Sequence, residues 1–172
     1  LGAGGLGFED ALALARAGAH VIIAGRNPEK GAEAVARIRQ SLNRAQVDFM
    51  PLDLANLDSI AAFGESLRRS LDRVDVLINN AAVMALPTRQ VTADGFELQF
   101  GTNHLGHFAL TAHLMPLLRK GRRSRVISLS SVAARSGTID FDDLQSVRNY
   151  KPMPVYAQSK LANLMFAFEL DR

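Results

Sequence analysis

The stretch that decides the fold is Val21-Ile22-Ile23-Ala24-Gly25-Arg26-Asn27-Pro28. Its β-branched residues predict a buried strand that ends at Gly25. Pro28 suits the first turn of a helix, and the residues after it predict a helix over 29–40. Upstream, the alanine- and leucine-rich residues 12–17 predict a further helix.

Short β-branched runs and longer helical stretches alternate along the rest of the chain. Strands are predicted at 47–50, 74–78 and 126–129, and helices at 58–71, 96–118 and 154–170. This alternation predicts an α/β fold with a doubly wound, Rossmann-like parallel sheet. Because no repeat or linker divides the chain, we expect residues 1–172 to form a single NAD(P)-binding domain. The long irregular stretch 136–153 follows a strand and is expected at the ligand-binding edge.

Composition excludes several classes of protein. The 172 residues are 48% hydrophobic and 22% charged, as in an ordinary globular protein. The absence of cysteine excludes disulfides and thiolate metal sites, and a reducing cytoplasmic location is expected. No apolar run is long enough to span a membrane. The basic cluster at 119–125 continues a predicted helix C-terminus without interleaved aromatic residues, so no nucleic acid partner is expected.

A glycine-rich stretch, Gly2-Ala3-Gly4-Gly5-Leu6-Gly7, precedes the first predicted helix. Its spacing fits G-x-G-x-x-G, in which glycines let the backbone approach a phosphate near a helix N-terminus. A plain glycine turn is the alternative interpretation. No strand precedes this loop, although the first strand is central in a doubly wound sheet. We therefore expect the sequence to be part of a longer protein, which an intact-mass measurement tests.

The end of the strand at 21–25 bears on cofactor choice. In dinucleotide-binding folds an acidic residue here binds the ribose 2′-hydroxyl of NAD, whereas an arginine accommodates the 2′-phosphate of NADP. This sequence has Arg26 and no acidic residue at the strand end. We predict NADP, with NAD as the alternative cofactor and a merely solvated Arg26 as the alternative interpretation.

Tyr156 and Lys160 are four residues apart in a predicted helix and therefore share one face. A lysine ammonium close to a tyrosine favours its phenolate form, so the pair suits general acid/base chemistry on a carbonyl or alcohol. Alone, the spacing also fits an ordinary amphipathic helix. Ser131 follows a predicted strand, where its hydroxyl suits either a substrate oxygen or a helix cap. Asn103 is a polar residue within a predicted helix.

Taken together, these residues resemble the short-chain dehydrogenase/reductase family, in the family's order and over essentially the whole chain. The residues that carry the resemblance are the glycine loop, Asp53-Leu54, Asn79-Asn80-Ala81-Ala82, Asn103, Ser131, Tyr156 and Lys160. The stretches 101–108 and 159–163, with the long separation of the serine from the tyrosine, resemble the retinol dehydrogenase-like branch in particular.

The resemblance implies a role for each residue. Tyr156 is the proton donor or acceptor, Lys160 favours its phenolate and holds the nicotinamide ribose, Ser131 orients the substrate oxygen, and Asn103 holds a water in a proton relay. With Arg26 from the strand end, the expected cofactor-binding residues are Gly2, Gly5, Leu6, Gly7, Arg26, Asp53, Leu54, Asn80, Ala81, Tyr156 and Lys160.

The sequence departs from the family in three places. The glycine loop is one residue shorter between its first two motif glycines, and Ala82 replaces a glycine. The C-terminal part that usually forms much of the substrate pocket is absent. The shorter loop puts the phosphate contacts in more doubt than the catalytic residues, and the missing part leaves the substrate open.

These features predict an oxidoreductase that transfers a hydride between NADP(H) and a small carbonyl or alcohol, which is expected to be hydrophobic. The alternatives are a nucleotide-sugar epimerase or dehydratase, which also uses Y-x-x-x-K, and a non-catalytic NADP-binding protein. Ser131 and Asn103 favour the oxidoreductase. The histidines of the long helix are interpreted as core or surface residues rather than metal ligands. The resemblance also allows a homo-oligomer.

Overall fold

The computed structural model describes residues 5–172 of the chain. Gly2 of the predicted glycine loop therefore lies outside the described residues. The chain forms two compact units, the first ending at Asp53 and the second running from Leu54 to Arg172. Both units are built from parallel strands with helical connections.

The first unit contains two helices and two strands, namely α1 (Gly5–Arg16), β1 (Val21–Gly25), α2 (Pro28–Ser41) and β2 (Val47–Pro51). The strands pair in parallel, with Val21 opposite Val47. Buried apolar side chains from all four elements form its core. The sequence-based predictions of both strands and of α2 are confirmed.

Helix α1 begins earlier than predicted. Its buried residues Phe8, Ala11 and Ala15 follow a helical period that begins before residue 12. Gly5 starts the helix with a φ of 55°, a left-handed conformation that favours glycine. Gly5, Leu6 and Gly7 therefore belong to the helix, and the turn-like composition of the sequence concealed this first part.

Helix α2 begins where local chemistry predicts it. The Asn27 side chain accepts the backbone N–H of Lys30 at 2.8 Å, and Pro28 occupies the first turn. Gly31 then lies directly against the ring of Phe49 on β2, where a Cβ atom would come within 2.1 Å of a ring carbon. The absence of a side chain at this glycine therefore allows the helix to approach the sheet.

The second unit continues the alternation of helices and strands. Its elements are α3 (Leu57–Ser70), β3 (Val76–Asn79), α4 (Leu98–Phe100), a π-helical turn (Gly101–Leu105), α5 (Gly106–Leu118), β4 (Arg125–Ser128), a 3₁₀ turn (Val132–Ser136) and α6 (Pro152–Asp171). Strands β3 and β4 pair in parallel. Helix α3 packs on α5, and α6 packs on the 3₁₀ turn.

Most boundaries in this unit differ from the prediction by one or two residues, and three of the differences have a local cause. Strand β3 includes Asn79, because its carbonyl accepts the N–H of Leu129 and continues the ladder. Helix α6 begins at Pro152, whose missing N–H costs nothing in a first turn. The predicted helix at 96–118 begins at Leu98, where the carboxylate of Glu97 accepts two backbone N–H groups, and contains the π-helical turn. No helix within residues 5–172 is long and apolar enough to cross a membrane.

Candidate active site

Tyr156 and Lys160 lie on the first turns of α6. The Nζ atom of Lys160 is 5.7 Å from the centroid of the Tyr156 ring and donates to the carbonyl of Leu129 at 3.2 Å. Only 3% of Lys160 is exposed, and this burial lowers its pKa. An ammonium has three donors, so two N–H groups remain for further acceptors beside the phenol.

The end of β4 is joined to α6 around this lysine. The Leu129 carbonyl also accepts from Nδ2 of Asn163 at 3.3 Å, and the Ser130 hydroxyl donates to the carbonyl of Lys160 at 2.7 Å. Ser130, the first of two serines after Leu129, therefore has a structural role. It fixes the α6 backbone relative to the strand end.

Ser131 caps the 3₁₀ turn that follows β4. Its backbone is extended, and its Oγ accepts the N–H of Ala133 at 3.2 Å. The hydroxyl proton has no acceptor within residues 5–172, so it remains available as a donor. Gly137, directly after the 3₁₀ turn, packs closely against the part of α6 that contains Tyr156. A Cβ on Gly137 would lie 2.7 Å from the carbonyl oxygen of Ala157. The cap interpretation and the substrate interpretation of Ser131 are thus compatible.

Asn103 is fully buried in the π-helical turn, and its side chain bridges two segments. It accepts the N–H of Val83 at 2.8 Å and donates to the Val83 carbonyl at 2.9 Å and to Oγ of Ser159 at 3.0 Å. Ser159 in turn donates to the carbonyl of Tyr156 at 2.7 Å. Both amide hydrogens of Asn103 are therefore occupied by these contacts.

Asn79, rather than Asn80, braces the strand end. Its Nδ2 donates to Oγ1 of Thr111 at 3.2 Å, and only 2% of the residue is exposed. Oδ1 of Asn79 and Oγ of the facing Ser128 are buried without a hydrogen-bond partner in the described part of the chain. Asn80 and Ala81 follow the strand half-buried. They lie at the carboxyl edge, where a ligand is expected.

The predicted cofactor residues of the first unit lie at its surface or at element ends. Gly5 begins α1, and a Cβ there would meet nothing within 4 Å. Leu6 is exposed and Gly7 is half-buried in the first turn of this helix. Arg26 is exposed after β1, and Asp53 is half-buried after β2. A glycine at a helix start and an exposed arginine after a strand are features that fit a phosphorylated dinucleotide.

Leu54 lies in the second unit and contacts α5. A Cβ added to Gly106 would come within 2.4 Å of the Leu54 carbonyl oxygen. The backbone at Leu54 is thus held against the helix that follows the π-helical turn. The structure gives Leu54 this packing role, and the cofactor contact stays a prediction.

Several buried polar residues were not selected as site residues from the sequence. Gln99 accepts the N–H of Ala85 at 2.7 Å and donates to Oη of Tyr150 and to the carbonyl of Pro152. Tyr150 also donates to the carbonyl of Leu86 at 2.9 Å. Gln99 therefore connects the loop before α4 to the loop before α6. The only sequence signal was a polar residue within an otherwise apolar helical stretch.

Burial governs the charge states around α5. It lowers the pKa of His107 to about 4 and also lowers the pKa of His104, so both imidazoles are neutral near pH 7. Burial raises the pKa of Glu97, against the two backbone N–H groups that its carboxylate accepts. No group of three potential metal-ligating side chains occurs within residues 5–172.

The whole chain, residues 1–172, matches the family model described as short chain dehydrogenase. This chain belongs to the short-chain dehydrogenase family. Retinol dehydrogenase 13 from Homo sapiens is 47% identical over 169 residues, which cover 98% of this chain and 51% of that protein. Polyprenol dehydrogenase from Homo sapiens is 42% identical over 175 residues, covering 99% and 53%. The chain spans about half the length of these curated relatives.

Solved structures of short-chain dehydrogenases share the fold. An uncharacterized protein from Mycobacterium Paratuberculosis matches with a TM-score of 0.86 at 44% identity, over 98% of this chain and 58% of that chain. The Pseudomonas aeruginosa RhlG/NADP active-site complex matches with a TM-score of 0.76 at 26% identity, over 98% and 62%. The predicted Rossmann-like α/β fold and the retinol dehydrogenase-like branch are both confirmed.

Proposed function

We propose that the protein transfers a hydride between NADP(H) and a carbonyl or alcohol substrate, with Tyr156 as the general acid/base. The observation that carries this proposal is the buried ammonium of Lys160 beside the ring of Tyr156. A cation in this position stabilises a phenolate, which is the form that Tyr156 takes after giving up its proton. A merely solvated lysine on an amphipathic helix would be exposed.

The bound cofactor supplies the hydride chemistry. In the reducing direction, Tyr156 donates its phenolic proton to the substrate oxygen as the hydride reaches the carbonyl carbon. Ser131 donates its unused hydroxyl proton as a hydrogen bond to that same oxygen. In the oxidising direction, Tyr156 takes the proton back from the alcohol. Lys160 holds the phenolate and offers its two remaining N–H groups to ribose hydroxyls.

NADP is proposed as the preferred cofactor. The support is the exposed Arg26 after β1, without an acidic side chain at the strand end, together with the glycine-rich start of α1. Gly2, Gly5, Leu6 and Gly7 are assigned to the pyrophosphate. Further cofactor contacts are assigned to Asp53, Leu54, Asn80, Ala81, Tyr156 and Lys160.

A small apolar alcohol or carbonyl compound is the proposed substrate. Large hydrophobic side chains are exposed on the segments that follow β3 and β4. These side chains are Met84, Val132, Phe141 and Val147. Two relatives are named for retinol and polyprenol, which are both apolar alcohols. The single NAD(P)-binding domain, a homo-oligomer, a cytoplasmic location and the absence of a nucleic acid partner stay predictions.

The test compares the two tyrosines of the chain. With NADPH and a panel of aldehydes and ketones, Tyr156→Phe is expected to lower kcat at least about 100-fold, because the proton donor is lost. The dissociation constant for NADPH, measured by fluorescence titration, is expected to change less than about twofold. The reason is that the phenolic proton of Tyr156 is assigned to the substrate oxygen and not to the cofactor. Tyr150→Phe is the matched control and retains turnover. Full activity of Tyr156→Phe would refute the mechanism.

The cofactor assignment has a separate test. Arg26→Ala is expected to weaken NADP binding at least about tenfold while NAD binding stays nearly constant, because only NADP carries the 2′-phosphate. Arg16→Ala removes an exposed arginine from the C-terminal turn of α1 and serves as the control. Equal losses for NADP and NAD in Arg26→Ala would contradict the assignment.

A further inference from the structure

The carbonyl of Asn103, in the π-helical turn, is bound by the side chain of His107. In a regular α-helix this oxygen accepts the backbone N–H of residue 107. Here the turn is wound one residue wider, with the N–H of Gly106 donated to the carbonyl of Gly101. The Asn103 carbonyl, within this turn, accepts Nδ1 of the His107 side chain at 2.9 Å. Single π-helical turns within α-helices frequently occur at functional sites.

Hydrogen bonds link the backbone carbonyl of His107 to the end of β3. The hydroxyl of Thr111 donates to the His107 carbonyl at 2.8 Å and accepts from Nδ2 of Asn79 at 3.2 Å. Only 3% of His107 is exposed. The backbone of His107 is therefore linked to the carboxyl end of β3, and its buried imidazole, bound to the Asn103 carbonyl, has little freedom to adopt another position.

The tautomer of this imidazole follows from its partner. Burial and the charge of Lys160 keep the pKa of His107 at about 4, so the ring is neutral at pH 7. A neutral imidazole donates through one nitrogen and accepts through the other. Since a carbonyl oxygen only accepts, Nδ1 of His107 carries the proton and Nε2 carries the lone pair.

We propose that His107 is a positioning residue, whose Nδ1–H fixes the main-chain carbonyl of Asn103 and so sets the place of the Asn103 side chain. That side chain binds the backbone of Val83 and, through Ser159, the carbonyl of Tyr156. His107 thus acts on the phenol through two intermediate residues and touches no reacting atom. The inference rests on the proposed oxidoreductase function, which supplies the reaction that is positioned.

Loss of the imidazole donor is expected to disturb geometry rather than binding. Without it the Asn103 carbonyl is buried with one hydrogen bond fewer, and the turn is free to relax towards regular α-helix. The Asn103 side chain then moves relative to Ser159 and the first turn of α6. Misplacement of a catalytic group by about 1 Å lowers turnover by up to about 100-fold.

The test uses two substitutions of nearly equal shape in the complete protein. His107→Asn retains an N–H donor near the Nδ1 position, and His107→Leu removes it. His107→Leu is expected to lower kcat about tenfold or more, with the KM for the carbonyl substrate and the Kd for NADPH within about twofold of wild type. His107→Asn is expected to recover most of the loss. His113→Asn and His113→Leu, on the same helix, are the control pair and give equal kcat.

A second measurement does not depend on turnover or on the folding of a variant. Nitrogen-15 NMR of the histidine side chains in the wild-type protein at pH 7 is expected to show His107 neutral with the proton on Nδ1. A protonated ring or an Nε2–H tautomer would overturn the inference. So would equal kcat for the two His107 variants at equal melting temperature, with the wild type active. A wild type without turnover would overturn the proposed function, and with it any role of His107 in the reaction.

Discussion

Replacement of Ser159 by alanine tests the bridge between the π-helical turn and the catalytic helix. Ser159 is fully buried, accepts from Nδ2 of Asn103 and donates to the carbonyl of Tyr156. The substitution removes a donated hydrogen bond worth about 1 kcal/mol and leaves one amide hydrogen of Asn103 buried and unpaired, which costs about 1–3 kcal/mol. Alanine returns roughly 0.5 kcal/mol through its higher helix propensity. We therefore expect a net loss of about 1.5–3.5 kcal/mol in the free energy of unfolding.

Urea denaturation followed by circular dichroism measures this loss, with the midpoint lowered and the m-value unchanged. Ser70→Ala is the matched control, because Ser70 also donates to a helical carbonyl but is exposed, and it should change stability by less than about 0.5 kcal/mol. In an Asn103→Leu background, Ser159→Ala should cost only about 0.5 kcal/mol, because the orphaned amide is already gone and alanine still gains helix propensity. A loss below 0.5 kcal/mol in the wild-type background, or full additivity in the double variant, would refute the reasoning.

Three further predictions concern close contacts and protonation. Gly137→Ala places a Cβ 2.7 Å from the Ala157 carbonyl oxygen, and this clash is expected to displace α6. The displacement should lower kcat at least about tenfold in a steady-state assay, and unchanged kcat would contradict this. Gly106→Ala places a Cβ 2.4 Å from the Leu54 carbonyl oxygen. This clash is expected to lower the free energy of unfolding, measured in urea, by at least about 1 kcal/mol despite the gain in helix propensity. A stabilised variant would disprove the contact. Because burial lowers the folded-state pKa of His107 to about 4, below the ordinary 6.5, protons bind the unfolded chain first and stability falls as pH decreases from about 7 towards 4. Between pH 7 and pH 5 His107→Asn should lose about 2 kcal/mol less stability than the wild type, and parallel pH curves would argue against a neutral buried imidazole.

Local chemistry made much of the secondary structure predictable. The β-branched run of β1, the Asn27 cap and Pro28 act within a few residues of one another, so their effects are readable from the chain alone. The same holds for Tyr156 and Lys160, because spacing by four on a helix places two residues on one face without reference to the rest of the fold. The early part of α1 was missed, because the helical period of its buried residues begins inside a glycine-rich stretch that also fits a turn.

The amino-acid sequence by itself determined the order of strands and helices, the family and the spacing of the tyrosine and lysine. Only the tertiary structure decided which polar residues support them. The π-helical turn depends on hydrogen bonds from Asn103 to Val83 and Ser159, which lie far from it in the chain. The neutrality of His107 depends on burial by other elements. A local pattern carries no record of such contacts, because their energies arise only when distant segments exclude water together.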